Sequence, residues 1–256
     1  MKKILITGAS DGIGLEAARA FATENNQITL VARSKDKLEK AVSSLPGKGH
    51  RTIVSDLTKK EEVDALKEVI GAGQYDIFIN NAGVGMFGRF TDIPLNEQVK
   101  MMTLNMTALT VLSYFYLSQA KKGDALVNMA STLGTSSYPG ASVYAATKAY
   151  ISTFSESLWW EYRKKGIYVV GFCPGATYTN FHNLSGGDKD EYPKFVLQMP
   201  SQVVKELVRA LGKRKKPKVV SGGMNRFMLS FQKLMSRKRV VNMMAGFGPL
   251  KGEKSN

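Results

Sequence analysis

The sequence predicts an α/β fold built on a parallel sheet. Three observations carry this: short apolar runs alternate with helical stretches, a glycine-rich turn joins the first run to the first helix, and several runs end in small or polar residues. Such alternation assembles right-handed βαβ units, and ligands of open α/β sheets bind outside the carboxyl ends of the strands. The polar run ends therefore mark a binding edge.

The first strand spans Lys3 to Thr7 and enters Gly8-Ala9-Ser10-Asp11-Gly12-Ile13-Gly14 directly, with a helix expected over Leu15 to Thr23. Glycines at this junction allow a tight turn and close approach to a phosphate, while the helix amino terminus offers unpaired N–H groups and a favourable dipole. The spacing is Gly-x-x-x-Gly-x-Gly, which departs from the common Gly-x-Gly-x-x-Gly dinucleotide pattern. A second strand, Gln27 to Ala32, ends at Arg33, with Lys35 and Lys37 behind it. A guanidinium here accommodates the 2′-phosphate of NADP, where an acid would accept the ribose hydroxyls of NAD. Thr52 to Ser55 leads to Asp56-Leu57-Thr58 and a helix over Glu61 to Gly71, and Asp76 to Asn80 leads to Asn81-Ala82-Gly83.

The apolar run Ala125 to Ala130 reads as a buried strand emptying into a Ser-, Thr- and Gly-rich loop, which puts Ser131 at a strand's carboxyl end. Val143 to Tyr150 carries the helix formers Ala145, Ala146 and Ala149, so Tyr144 and Lys148 share one helix face. An unperturbed phenol has a pKa near 10, and a nearby cation favours its phenolate and brings it toward useful acid–base range. The pair alone also fits an ordinary solvated helix face. A further strand, Ile167 to Phe172, precedes Cys173, which reads as a small buried hydrophobe. Trp159 and Trp160 are expected in core or subunit packing, and His182 on the surface.

Ordered along the chain, TGASDGIG at 7–14, Asp56-Leu57, NNAG at 80–83, Asn105, Ser131, YAATK at 144–148 and PGATYT at 174–179 resemble the short-chain dehydrogenase/reductase family. The resemblance covers roughly residues 1–220 and implies one Rossmann-type domain there, a doubly wound parallel sheet of about seven strands with helices on both faces. It implies a nicotinamide cofactor, NADP(H) by the Arg33 argument, and no metal. Tyr144 is then the acid or base for a carbonyl or alcohol oxygen, and Ser131 polarises the same oxygen. Lys148 contacts the nicotinamide ribose and lowers the tyrosine pKa, and Asn105 anchors a water-linked proton relay.

Around the cofactor, the resemblance assigns Gly8, Ser10, Gly12, Ile13 and Gly14 to the pyrophosphate, and Asp56 and Leu57 to the adenine. Asn80, Ala82 and Gly83 run along the adenosine and ribose, and Pro174, Gly175, Thr177 and Thr179 close on the nicotinamide, where Tyr144 and Lys148 also touch it. Asp11 departs from the family pattern. Many NADP-using members carry a basic residue just before the second glycine, so the preference rests on Arg33.

The expected activity is hydride transfer between NADP(H) and an apolar or lipid-like carbonyl or alcohol, with a 3-oxoacyl thioester as one alternative substrate. A low-turnover NADP(H)-sensing protein is the alternative from another class. Residues Tyr178 to Pro200 read either as a specificity lid hinged at Gly186-Gly187 or as a plain surface loop, with Phe181, Tyr192, Phe195, Leu197 and Met199 as wall candidates. The family also suggests a homodimer or homotetramer through the helices around Thr103 to Lys121 and Ala141 to Lys165.

Over its 256 residues the chain carries a net charge of +15, and twelve of its 36 lysines and arginines fall from Lys213 onward, against Glu253 alone. Phe227, Met228, Phe231, Leu234 and Met235 lie at helix-like spacing in that stretch, so residues 221–256 read as a basic amphipathic extension. Such a stretch lies on an anionic membrane, grips an acidic carrier protein, or closes over the core or a second subunit. No nucleic-acid motif accompanies the charge. Cys173 is the single cysteine, which excludes an internal disulfide and fits a reducing cytoplasm. Neither a signal peptide nor a run of about twenty apolar residues is found.

Overall fold

The computed structural model describes residues 1–23, 25–181 and 196–250. Seven parallel strands form one sheet: β1 Lys2–Thr7, β2 Asn26–Ala32, β3 Arg51–Val54, β4 Ile77–Asn80, β5 Ala125–Met129, β6 Tyr168–Cys173 and β7 Lys218–Val220. They lie in the order β3-β2-β1-β4-β5-β6-β7, so the winding direction reverses between β1 and β4. That reversal opens a crevice at the strands' carboxyl ends. The helices are α1 Gly12–Phe21, α2 Lys35–Ser43, α3 Lys60–Gly73, α4 Leu95–Met102, α5 Leu109–Gln119, α6 Ser142–Tyr162, α7 Pro200–Lys213, α8 Gly223–Gln232 and α9 Arg237–Ala245.

Every residue of β4, β5 and β6 is buried, the signature of parallel strands covered on both faces. Alternate positions serve opposite layers. Ile4, Ile6, Ile28, Leu30, Val127 and Val170 pack with Ala17 of α1, Leu38 of α2 and Val203 and Leu207 of α7. Leu5, Val31, Phe78, Leu126 and Val169 pack with Leu66 and Ile70 of α3 and Leu112 and Tyr116 of α5. The element types follow the sequence expectations, and the ends move by one to three residues. The largest change is at α1, which starts at Gly12 because the Asp11 carboxylate accepts the Gly12 N–H at 2.7 Å and caps it there.

Between α4 and α5 the helix passes through a π-helical segment, Thr103–Ala108. Trp159 packs on the core, whereas Trp160 is 60% exposed under the Arg163 guanidinium. No helix among the described residues is long and apolar enough to cross a membrane.

After β7 the chain folds back over the sheet's carboxyl edge. The Ser136 hydroxyl donates to Gln232 Oε1 at 2.5 Å, and the Tyr138 hydroxyl donates to the Phe247 carbonyl at 2.8 Å. Arg226 pairs with Glu206 at 2.7 Å and also donates to the Val220 carbonyl. Two faces of α8 part company: Met228, Leu229 and Gln232 turn inward to a cleft, while Phe227 (69% exposed) and Phe231 face out, as does Leu234 (84%) just beyond the helix.

Candidate active site

The cleft runs along the sheet's carboxyl edge, with a volume of about 470 Å³ that falls in the range of organic-ligand sites. Its first end is made by the turn after β1. Gly8 has φ +65°, and a Cβ there would crowd the Ala82 backbone. A Cβ on Gly14 would strike the Gly8 carbonyl, so the helix can approach the strand only with glycine at that point. Asp11 spends both oxygens, one on the Gly12 N–H and one on the Asn180 amide at 2.7 Å. Arg33, Ser34 and Lys37 stand at the end of β2. Asp56 beside them has a lowered pKa: partial burial raises it, but hydrogen bonds from the Thr58 N–H and hydroxyl, with the Arg33 and Lys59 charges, outweigh that.

At the middle of the cleft, Ser131 leaves β5 and its Oγ accepts the Leu133 N–H at 3.1 Å. Tyr144 is 6% exposed on α6, wedged between the Phe87 ring at 6.0 Å and the Phe181 ring at 5.7 Å. Lys148, one turn on, donates to the Met129 carbonyl at 2.9 Å and holds its Nζ 5.8 Å from the Tyr144 ring centre. Burial pushes its ammonium down to about 8. Asn105, fully buried on the π-helical segment, donates to the Val84 carbonyl (2.8 Å) and the Thr147 hydroxyl (3.1 Å) and accepts the Val84 N–H (3.0 Å). It thereby ties the loop after β4 to α6. The far end is apolar, walled by Leu133, Tyr138, Phe181, Met228, Met244 and Phe247.

A family model described as short chain dehydrogenase matches residues 2–189. This chain belongs to the short-chain dehydrogenase/reductase family. An uncharacterized oxidoreductase of Staphylococcus aureus (strain MRSA252) is 31% identical to this short-chain dehydrogenase over 215 residues, which span 79% of this chain and 93% of that one. The very-long-chain 3-oxoacyl-CoA reductase of Homo sapiens is 28% identical over 218 residues, 81% of this chain and 68% of its own. Among solved structures, a short-chain dehydrogenase from Sphingobium yanoikuyae in complex with NADPH matches with TM-score 0.78 at 27% identity, covering 91% of this chain and 94% of that chain.

Most positions named from the sequence of this short-chain dehydrogenase line the one cleft: Gly8, Ser10, Gly12 and Ile13 at the turn, Arg33, Asp56 and Leu57 beyond it, Ala82 and Gly83 after β4. Ser131, Tyr144, Lys148, Pro174, Gly175, Thr177 and Thr179 do so as well. Three do not. Gly14 sits behind the turn as packing space, and Asn105 sits behind Gly83. Asn80 is buried against Leu109 and Thr7, its amide donating to the Leu109 carbonyl at 3.1 Å, and its neighbour Asn81 lines the cleft. Strand β4 is buried on both faces, so no alternation marks which asparagine points where.

Of the wall candidates, Phe181 lines the cleft, and Met199 is 53% exposed at the start of α7. Leu197 is not among the lining residues, while His182, Gly186, Gly187, Tyr192 and Phe195 lie outside the described residues. The inward face of the tail, including Gln232, Met244 and Phe247, was not read from the sequence as part of the site. Its helix-like spacing was visible, but spacing alone marks two candidate faces. Cys173 is a buried free thiol whose pKa is raised by burial, as its apolar setting predicts. Among the described residues no group of three His, Cys, Asp or Glu is placed to hold a metal.

Proposed function

We propose that this oxidoreductase is an NADP(H)-dependent reductase of bulky, apolar carbonyl compounds. The observation that carries the reading is one continuous cleft, with Arg33 and Lys37 at one end, Ser131, Tyr144 and Lys148 at its middle, and an apolar chamber beyond. The residues fit a dinucleotide: Gly8, Ser10, Gly12 and Ile13 of the turn line the cleft, and the α1 amino terminus opens onto it. Two cations meet where a 2′-phosphate would lie. NADPH, when bound, would supply hydride to a carbonyl carbon.

Tyr144 donates its proton to the carbonyl oxygen, and the Ser131 hydroxyl donates a hydrogen bond to it as negative charge develops. Lys148 places a buried positive charge beside the phenol, which favours its ionised form and so the release of the proton. Asn105 is a positioning residue, holding Val84 and Thr147, with the proposed water relay at its back. Phe87 and Phe181 exclude water around the phenol. The walls Met228, Met244 and Phe247 favour a lipid-like body, an acyl thioester among them.

Titration with NADPH and with NADH, followed by a screen of ketones and acyl thioesters for loss of nicotinamide absorbance, tests the reading. Much tighter NADPH binding with turnover of a long-chain carbonyl supports it. Binding with no turnover across the screen favours an NADP(H) sensor, and binding of neither cofactor overturns the reading.

Within this reading, residues 1–220 form the catalytic domain and 221–256 an extension, whose residues Asn225 to Phe247 contribute to the cleft wall. The extension's outward face, with Phe227, Phe231 and Leu234 exposed among Arg226, Lys233, Arg237, Lys238 and Arg239, is assigned to an anionic membrane surface. A cytoplasmic chain with its one thiol buried would then dock peripherally. Exposed Val99, Met102 and Tyr114 on α4 and α5 are assigned to a homodimer or homotetramer contact. Co-sedimentation with anionic vesicles that Phe227→Ser with Phe231→Ser abolishes supports the membrane assignment. Capture of an acidic carrier protein without vesicle binding would replace it.

A further inference from the structure

The apolar end of the cleft holds one polar side chain that the proton-transfer chemistry does not use. Gln232, on the last turn of α8, is 8% exposed and lies in the cleft wall. Met228 and Leu229, one turn before it, line the same wall, as do Met244 and Phe247 from α9 and the loop after it. The orientation of its amide follows from its neighbours. Oε1 accepts the Ser136 hydroxyl at 2.5 Å, and Nε2 faces Met244 Sδ at 3.3 Å. With the amide turned over, its oxygen would face the sulfur, two acceptors together.

The primary amide has two N–H groups, and its acceptor among the described residues is one thioether, a weak partner. A buried donor left in this state is costly, and a ligand oxygen that meets it is rewarded. Met, Leu or Phe would fill the same wall without that cost.

We propose that Gln232 is a second recognition point for the substrate, donating a hydrogen bond to an acceptor oxygen carried on its apolar body. The ligand class is an apolar carbonyl compound bearing a further carbonyl oxygen, as in an ester, thioester, amide or second ketone. This rests on the reading of the cleft as a reductase site and sharpens its substrate. A site built to hydrogen-bond an oxygen discriminates against the analogue lacking it, because the amide is then left unpaired.

The test is binding by isothermal titration to the NADPH-loaded protein, using fatty methyl esters of graded length and hydrocarbon-chain alkyl halides of matching length as oxygen-free partners. Wild type is expected to bind one ester length about tenfold tighter than its partner. Gln232→Leu is expected to cancel that preference while retaining affinity for the oxygen-free partner. Ser136→Ala, which removes the tie between the amide and the loop but leaves the amide in place, is expected to keep the preference. No preference in wild type at any length overturns the proposal, as does its survival in Gln232→Leu or its equal loss in both variants. Turnover of a plain long-chain ketone, measured in parallel, reports on the reductase reading separately: binding preference without turnover leaves Gln232 assigned and removes the reaction.

Discussion

The cleft's two ends are made of different material. Beneath Arg33 the walls are strand ends, a glycine turn and a helix terminus, so their shape is largely a property of the backbone. Beneath Met244 they are side chains from stretches as distant in sequence as Phe87 and Phe247, held in place by the Ser136–Gln232 and Tyr138–Phe247 hydrogen bonds. A ligand of fixed shape can be held by a backbone cradle with a few charges added, whereas a chamber of side chains can be re-lined one residue at a time. The difference implies that the two ends respond independently to substitution, with Tyr144 and Lys148 at the seam.

The sharpest way to separate them is Tyr144→Phe. It is expected to lower kcat on the order of a thousandfold while the NADPH dissociation constant stays within a factor of two, measured by steady-state turnover and fluorescence titration. A variant that loses cofactor binding as well would show that the seam belongs to both ends.

Lys148 divides activity from stability at the same point. Its native pKa of about 8 lies below its ordinary value of 10.5, so the folded chain holds its proton less tightly than the unfolded chain. The cost to stability is full below pH 8, on the order of 3 kcal/mol, and shrinks to nothing as pH rises toward 10.5. Lys148→Met is therefore expected to abolish turnover and yet resist unfolding better than wild type at pH 7, with the advantage fading between pH 8 and 10.5. Denaturant melts across that range check it, and a pH-independent difference would sink the assignment.

Smaller effects fall cleanly on one end. Arg33→Ala is expected to weaken NADPH tenfold to a hundredfold and leave NADH unchanged, since only one of them carries the 2′-phosphate; parallel titrations decide it. Met244→Ala is expected to raise KM severalfold for a long-chain ketone, with kcat and cofactor affinity preserved. Should it alter NADPH binding, the independence of the ends would fail.

The same contrast governs what the sequence made legible. Thr7 to Gly14 and Arg33 could be read because their local chemistry announces a strand end, a turn and a charge, whereas Asp56-Leu57 and Pro174 to Thr179 could be read only as ordered motifs that resemble the family's. One helix turn relates Tyr144 and Lys148, but their roles could be read only from the family resemblance, since the spacing alone also fits a solvated helix face. Asn80 and Asn81 could not be told apart, since a strand buried on both faces has no polar alternation to give the direction. For the tail, Phe227 and Met228 carry equal apolar weight in the sequence, and only the packing of α8 against the loop after β5 sends one outward and the other into the chamber. Its basic charge pointed toward an outer surface, when the inward face completes the cleft.

The π-helical segment Thr103–Ala108 makes the proposed catalytic seam depend on a count as well as on identity. Such a segment accommodates one residue more than a regular helix would over the same rise, and so sets the rotational phase of α5 relative to α4. Asn105 reaches Val84 and Thr147 from inside that segment. Removing Thr103 would let the segment relax to regular geometry with α4 and α5 close to their present phase, but would change the direction in which Asn105 leaves the helix axis. Every side chain named in the site would still be present, and the loop after β4 would have lost its hold on α6. Deletions in this helix and deletions in an exposed loop are thus different kinds of event, one a change of aim and the other a change of length.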